Sequence, residues 1–233
     1  MGEVIVTAIR KTNSLSGSKP DYLYSWSCVA IVEWLLIYFC EYEMARPRSE
    51  DKYYALLTAA IAVCSALGLE APTSKIARTA GVAEGTLFTY FKTKDALLNQ
   101  LYLELKKEMG REMLSNYPRT LTLRERMHFV WSKYINWGAH NPEKRKVMGQ
   151  LSVSDRITTE SRAAAMAIFS EAGVLLNECL KNSKIQDNSC AFVSAMMVAM
   201  ADTTIDFIIR EPEQAEHYCN AGFDAFWRVL ANE

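Results

Sequence analysis

Glu84, Gly85, Thr86, Thr89 and Tyr90 fall in one short stretch, and Lys92 and Lys94 follow at once. Small and hydrogen-bonding side chains beside cations suit contact with a nucleic-acid duplex better than bond-making chemistry. Thr86 carries a hydroxyl and a methyl for base edges, and Gly85 permits close approach. Tyr90, Lys92 and Lys94 have the reach to touch phosphates. Arg46 and Arg48 add a cationic, proline-containing arm upstream. Residue patterns for catalysis are missing. His128, His140 and His217 form no metal-spaced pair, and no nucleophile elbow, phosphate loop or dinucleotide glycine motif occurs. The six cysteines lie far apart without a CxxC pair, which argues against a zinc site or a disulfide scaffold and for a reduced, cytoplasmic setting. Cys179 and Cys190 flank a predicted connection and read as ordinary thiols rather than a redox pair. No catalytic residue, metal or cofactor is expected.

The elements that must position these residues are helical. Hydrophobic residues make up 50% and charged residues 23% of the chain, the balance of a soluble globular protein. The net charge of -1 gives no general affinity for a polyanion, so local charge must carry that argument. From Ser49 onward the apolar pattern is helical and no alternating run of strand length appears, which predicts an all-α fold. Tyr53, Leu56, Leu57, Ala60, Ile61, Cys64 and Leu67 share one helix face, with Gly68 as the stop. Thr73 is placed to cap a short helix with Ile76, Ala77 and Ala80, and a second short helix holds Leu87, Phe88 and Phe91. Neither is long enough to stand alone, so their closeness across Gly81 calls for a helix-turn-helix. Glycine supplies the left-handed turn, Ala77 lets the helices approach, and Ile76, Ala80, Val82 and Leu87 fill the space between them. Thr93 then caps a long helix. The helix starts at Thr73 and at Thr93-Lys94 would aim free amides at phosphates. Residues 44–95 hold seven Lys/Arg against five Asp/Glu, whereas residues 161–231 hold five against nine. The cationic excess thus sits with the motif. A structural cap on a helical bundle is the alternative that spacing alone leaves open.

Further helices are predicted over residues 121–139, 142–153, 157–181, 187–210 and 213–231. The C-terminal half is rich in Met and aromatic residues, which can line an adaptable apolar pocket or simply fill a core. Trp131, Tyr134 and Trp137 recur at three-residue steps and, with Met166 and Phe169, form the expected wall of a pocket for a planar or hydrophobic small molecule. Phe192, Met196, Met197 and Met200, then Tyr218, Phe223, Phe226 and Trp227, mark the last two helices as an interface pair. Residues 1–43 read differently. Tyr22 to Cys40 is mostly apolar and approaches membrane-spanning length, but Glu33 near its middle would cost roughly 2.5 to 3.5 kcal/mol in a bilayer. Met44 has the look of a natural start, which makes residues 1–43 an upstream extension; a short membrane anchor and an extra helix are the alternatives.

The residues from Thr73 to Leu98, with Ile76-Ala77, Ala80-Gly81-Val82, Gly85-Thr86-Leu87, Tyr90-Phe91 and Lys94-Asp95-Ala96-Leu97-Leu98, resemble the TetR family of bacterial transcriptional regulators. The resemblance covers about 50 residues from Ser49, and the later helices also fit that family's layout. It implies an N-terminal three-helix DNA-binding domain over 44–97 and a C-terminal helical bundle over 98–233 for ligand binding and dimerisation. It also implies a homodimeric repressor on a palindromic DNA operator, released by a small-molecule effector. A ligand-binding or interaction module without specific DNA binding, or a membrane-anchored regulator, is the alternative. Three positions depart from the family pattern. Ala83 stands where Ser commonly caps the recognition helix, Phe88 replaces a frequent Tyr, and Tyr90 stands where His is frequent, so particular phosphate contacts at 88 and 90 do not carry over.

Overall fold

The computed structural model describes residues 49–181, 183, 185 and 189–230. The expectations for residues 1–43 and for Arg46 and Arg48 lie outside the described residues. Among the described residues there are ten α-helices and no strand: α1 (Glu50–Leu67), α2 (Thr73–Thr79), α3 (Glu84–Tyr90), α4 (Lys94–Leu114), α5 (Leu123–His140), α6 (Pro142–Ser152), α7 (Thr159–Ile168), α8 (Ser170–Leu180), α9 (Cys190–Arg210) and α10 (Ala215–Leu230). The all-α expectation holds.

Helix boundaries follow local chemistry. Gly68, at φ 82°, ends α1 in a backbone conformation that other residues adopt only under strain. Thr93 caps α4 by accepting from the Ala96 amide at 3.0 Å. Thr122 and Glu125 form a reciprocal capping box at the start of α5. Leu56, Leu57, Ala60 and Cys64 of α1 are buried as the periodicity predicts, but Leu67 is half exposed, because the helix stops and the chain turns away at Gly68.

Helix α4 joins the two halves. Its Leu97, Leu98, Leu101, Leu105, Met109 and Met113 are buried in one continuous core that also holds Leu56, Ile76 and Leu87 of the first helices and Trp131 of the bundle. The helix predicted over 157–181 is in fact two, α7 and α8, bent by 72° at Phe169. Neither Gly nor Pro marks the break. The cause is tertiary: α7 lies against α4, where Gly110 leaves room for Ile168 and Phe169, while α8 turns to pack on α5 and α9. In the bundle centre Trp131 is fully buried and stacks on Phe226 with centroids 5.9 Å apart.

Helix α9 is apolar enough, over its length, to cross a membrane, yet only 33% of its most apolar window is buried. Phe192, Val198, Phe207 and Ile209 stand on its exposed side.

Close packing at Gly110, Gly138 and Gly222 leaves no room for a Cβ. A Cβ on Gly222 would meet the Thr204 hydroxyl and come within 2.9 Å of Trp131, and one on Gly110 would meet the Ile168 methyl at 2.5 Å. Gly222→Ala is expected to lower the stability measured by urea unfolding by about 1 to 3 kcal/mol. Gly149→Ala, in an exposed helical position with open space around it, is expected to be neutral or to stabilise by up to about 1 kcal/mol.

Candidate nucleic-acid interface

Helices α2 and α3 are each seven residues long and meet at Gly81, which has φ 71°. The Gly81 amide donates to the Arg78 carbonyl at 3.1 Å and the Val82 amide to the Ala77 carbonyl at 3.0 Å, so the turn satisfies its own backbone. Ile76, Ala77 and Leu87 are buried, and Ala80 and Val82 are partly covered against the same core. Leu87 is the one buried residue of α3. The remaining side chains of that helix therefore have their polar atoms at or near solvent: Glu84, Gly85 and Thr89 are exposed, and Thr86 and Tyr90 are half-buried.

Several of the expected contact residues already have partners. Thr73 does not cap α2. It is the first helical residue, Pro72 precedes it with no side-chain cap, and the Thr73 hydroxyl donates to the Glu84 carboxylate at 2.6 Å. A hydrogen bond to a charged acceptor outcompetes a neutral cap, and here it ties the start of α2 to the start of α3. The Tyr90 hydroxyl donates to the Ser49 carbonyl at 3.2 Å, which binds the end of α3 to the start of α1. The Thr89 hydroxyl donates to the Gly85 carbonyl one turn back. Lys94 lies 3.7 Å from the Glu70 carboxylate and is only 21% exposed, whereas Lys92 is exposed. The anticipated lack of a cap on α3 is observed at Ala83.

Two cations escaped the sequence reading. Lys75 and Arg78 stand on the exposed side of α2 and make no ion pair with any described residue. Their signal was available, since they occupy the face of α2 opposite Ile76 and Ala77.

In the C-terminal half the expected pocket wall does not form as one surface. Met166 is 72% exposed on the outer side of α7. Trp131, Tyr134 and Trp137 are buried but turn to different neighbours. The Trp131 indole donates to the Cys219 carbonyl of α10, the Tyr134 hydroxyl to Asp202 of α9, and the Trp137 indole to Glu108 of α4. Residues three apart on a helix differ by about 60° in direction, so the first and last of this stripe diverge by about 120°. Burial pushes the Tyr134 phenol well up, with the Asp202 charge adding to the effect. Phe169 sits half-buried at the bend, 5.7 Å from the Lys106 ammonium, which also lies 5.6 Å from the Tyr102 ring. Desolvation lowers the Lys106 pKa, and no carboxylate of the described residues reaches it at ion-pair distance. An open cleft of about 550 Å³ lies among α1, α4 and α7, lined by Tyr54, Glu104, Lys107, Arg111, Leu114 and Ile168 among others, and none of the predicted pocket residues lines it.

Burial pushes the Cys179 thiol up to about 11 and raises Cys190 too, so both stay protonated near neutral pH. Among the described residues no three His, Cys, Asp or Glu side chains gather at metal-binding spacing.

Comparison with known proteins fits this geometry. Residues 56–101, which span α1 to the first turns of α4, match the family described as bacterial regulatory proteins, tetR family. This N-terminal segment is similar to the tetR family. Over 97 residues it is 34% identical to the fatty acid metabolism regulator protein of Bacillus subtilis (strain 168), a stretch covering 40% of this chain and 50% of that protein. The match thus spans about half the length of that relative. A tetR family transcription regulator from Shewanella sp. PV-4 superposes with a TM-score of 0.70 at 25% identity, covering 78% of this chain and 99% of the other. The transcriptional regulator FadR from Bacillus subtilis, solved in complex with stearoyl-CoA, has the same fold with a TM-score of 0.56 at 22% identity over 77% and 98% of the two chains. These similar proteins are named as regulators.

Two of the three hydroxyls of α3, those of Tyr90 and Thr89, differ in what their loss should cost. Tyr90→Phe is expected to lower stability by about 0.5 to 1.5 kcal/mol in urea unfolding, the net value of its bond to Ser49. Thr89→Ala, which removes a bond on an exposed helix face, is expected to stay within about 0.5 kcal/mol.

Proposed function

We propose that this protein is a DNA-binding transcriptional repressor that acts as a homodimer on a palindromic operator and is released by a small hydrophobic ligand. The observation that carries the reading is the exposure pattern of α3. One side chain, Leu87, anchors the helix, while Glu84, Gly85 and Thr89 are exposed and Thr86 half-buried, flanked by the exposed cations Lys75, Arg78 and Lys92. In this reading Gly85 and Thr86 meet base edges, Glu84 accepts from a cytosine amino group, and Lys75, Arg78 and Lys92 meet phosphates. Lys94 and the arm with Arg46 and Arg48 add further phosphate contacts. Thr73 and Tyr90 act as braces that hold α3 in place.

The partly uncovered apolar side of α9 supports the dimer. Phe192 and Val198 alternate there with the exposed small residues Ala191, Ser194, Ala195 and Ala199. A two-fold axis can set the large side chains of one copy against the small ones of the other, and such a dimer would put two recognition helices on successive major grooves. Effector binding in the C-terminal bundle would shift α4, change the spacing of the two α3 helices and break simultaneous contact with both half-sites. Stearoyl-CoA, bound by a protein of the same fold, is the first ligand to try. The half-buried Lys106 offers a cation for an acidic head group. The protein is expected to act in the cytoplasm without catalysing a reaction.

Removing Lys75, Arg78 and Lys92 together is expected to weaken binding to all duplexes and to flatten the slope of log K against log salt by about 0.9 per lost phosphate contact. Thr86→Val is expected instead to change sequence preference in a footprinting or selection assay, at about 1 to 3 kcal/mol for a base contact. An equal loss on every sequence would remove Thr86 as a reader. Light scattering at micromolar concentration should give twice the chain mass; a monomeric mass would overturn the two-fold arrangement.

A further inference from the structure

The turn between α1 and α2, the first turn of α4 and the connection between α6 and α7 meet in one polar cluster. Arg156, in the α6–α7 connection, grips Glu70 with Nε at 3.2 Å and Nη2 at 2.9 and 3.0 Å from its carboxylate oxygens. Its Nη1 reaches Asp95 of α4 at 2.6 Å. Asn99 ties the same pieces together: its amide nitrogen donates to the Asp95 and Arg156 carbonyls, each at 2.8 Å, and its oxygen accepts from the Thr158 amide at 2.9 Å. Glu70 has a second cation beside it, Lys94, at the longer distance of 3.7 Å. One carboxylate therefore stands between a guanidinium from the C-terminal half and an ammonium at the start of α4. Both cations hold the Glu70 carboxyl below its usual range, with the Arg156 hydrogen bonds as the larger cause.

We propose that Arg156 is a positioning residue for DNA binding: by taking the short hydrogen bonds of Glu70 it keeps Lys94 at the longer 3.7 Å contact, from which a phosphate can draw it, and when Arg156 withdraws, Glu70 closes on Lys94. The inference rests on the DNA-binding reading above. It gives the C-terminal half a direct hold on an electrostatic contact, beyond any change in helix spacing. The connection carrying Arg156 is fastened to α7 from behind, since the Arg162 guanidinium donates to the Ser152 and Ser154 carbonyls at 2.7 and 2.8 Å. Helix α7 in turn lies on α4 at Gly110. A ligand that shifts α7 thereby draws on the loop that holds Glu70. Exposed ion pairs contribute little to stability by themselves, so partner exchange at Glu70 costs little and can proceed without unfolding.

The test uses the full chain and a random-sequence duplex at low and moderate salt, because phosphate contacts are independent of sequence. Arg156→Ala is expected to weaken binding about two- to fivefold per subunit and to flatten the salt slope by about 0.9 per subunit. Adding Glu70→Gln to that variant removes the competing carboxylate and should restore both affinity and slope. An Arg156 that merely pins its loop would show no such rescue. Should Arg156→Ala fail to fold, Glu70→Gln alone decides: binding equal to or tighter than that of the unaltered chain upholds the proposal, and weaker binding overturns it. An unchanged slope in Arg156→Ala, or a double variant as weak as the single one, also overturns it while the DNA-binding reading stands. An unaltered chain that ignores every duplex at low ionic strength overturns both.

Discussion

A seven-residue helix cannot hold itself together in water, because nucleation costs more than so few hydrogen bonds return. Helices α2 and α3 therefore exist only as far as Ile76, Ala77 and Leu87 are buried against α1 and α4. This constraint explains the division of labour within α3. With Leu87 as its one buried anchor, nearly all of the helix surface remains for contact with another molecule. The anchor alone leaves the helix free to rotate, and the hydrogen bonds Thr73 to Glu84 and Tyr90 to Ser49 restrain it at its two ends.

The same dependence makes α4 the spine of the protein. Its buried leucines and methionines belong to one continuous core shared by the first helices and the bundle, so the orientation of α3 is coupled to whatever α4 touches. Gly110 and the bend at Phe169 bring α7 close to that spine. The cluster at Arg156 provides a second link between the halves, made of charge rather than packing. Packed links transmit displacement, while charged links can exchange partners at little cost; this chain has both at the junction where regulation of a DNA contact would have to act.

The C-terminal bundle shows what aromatic richness does here. Trp131, Tyr134 and Trp137 each bury a large ring and satisfy a polar tip on a different neighbour, which makes them ties between α5 and α10, α9 and α4 rather than the lining of one space. The polar and charged groups that remain near the interior, Lys106 and the Arg145 pair with Asp202 and Asp206, lie on the faces where α4, α5, α6 and α9 meet.

Much of the fold is legible in the residues themselves. Apolar spacing sets the helical class, because a 3.6-residue period admits one kind of element, and the glycine at 81 sets the turn, because few residues adopt a positive φ there. The outward face of α3 follows from those two facts and the place of Leu87. What the tertiary structure decided is who partners whom. Periodicity says which side of a helix is apolar but nothing of the neighbour it meets, so the split at Phe169, the exposure of Met166 and the dispersal of the tryptophan stripe were hidden. Charge pairing is hidden for the same reason. Glu70, Asp95 and Arg156 are brought within hydrogen-bond reach only by folding, since electrostatic contact depends on distance in space, and sequence separation sets no such distance.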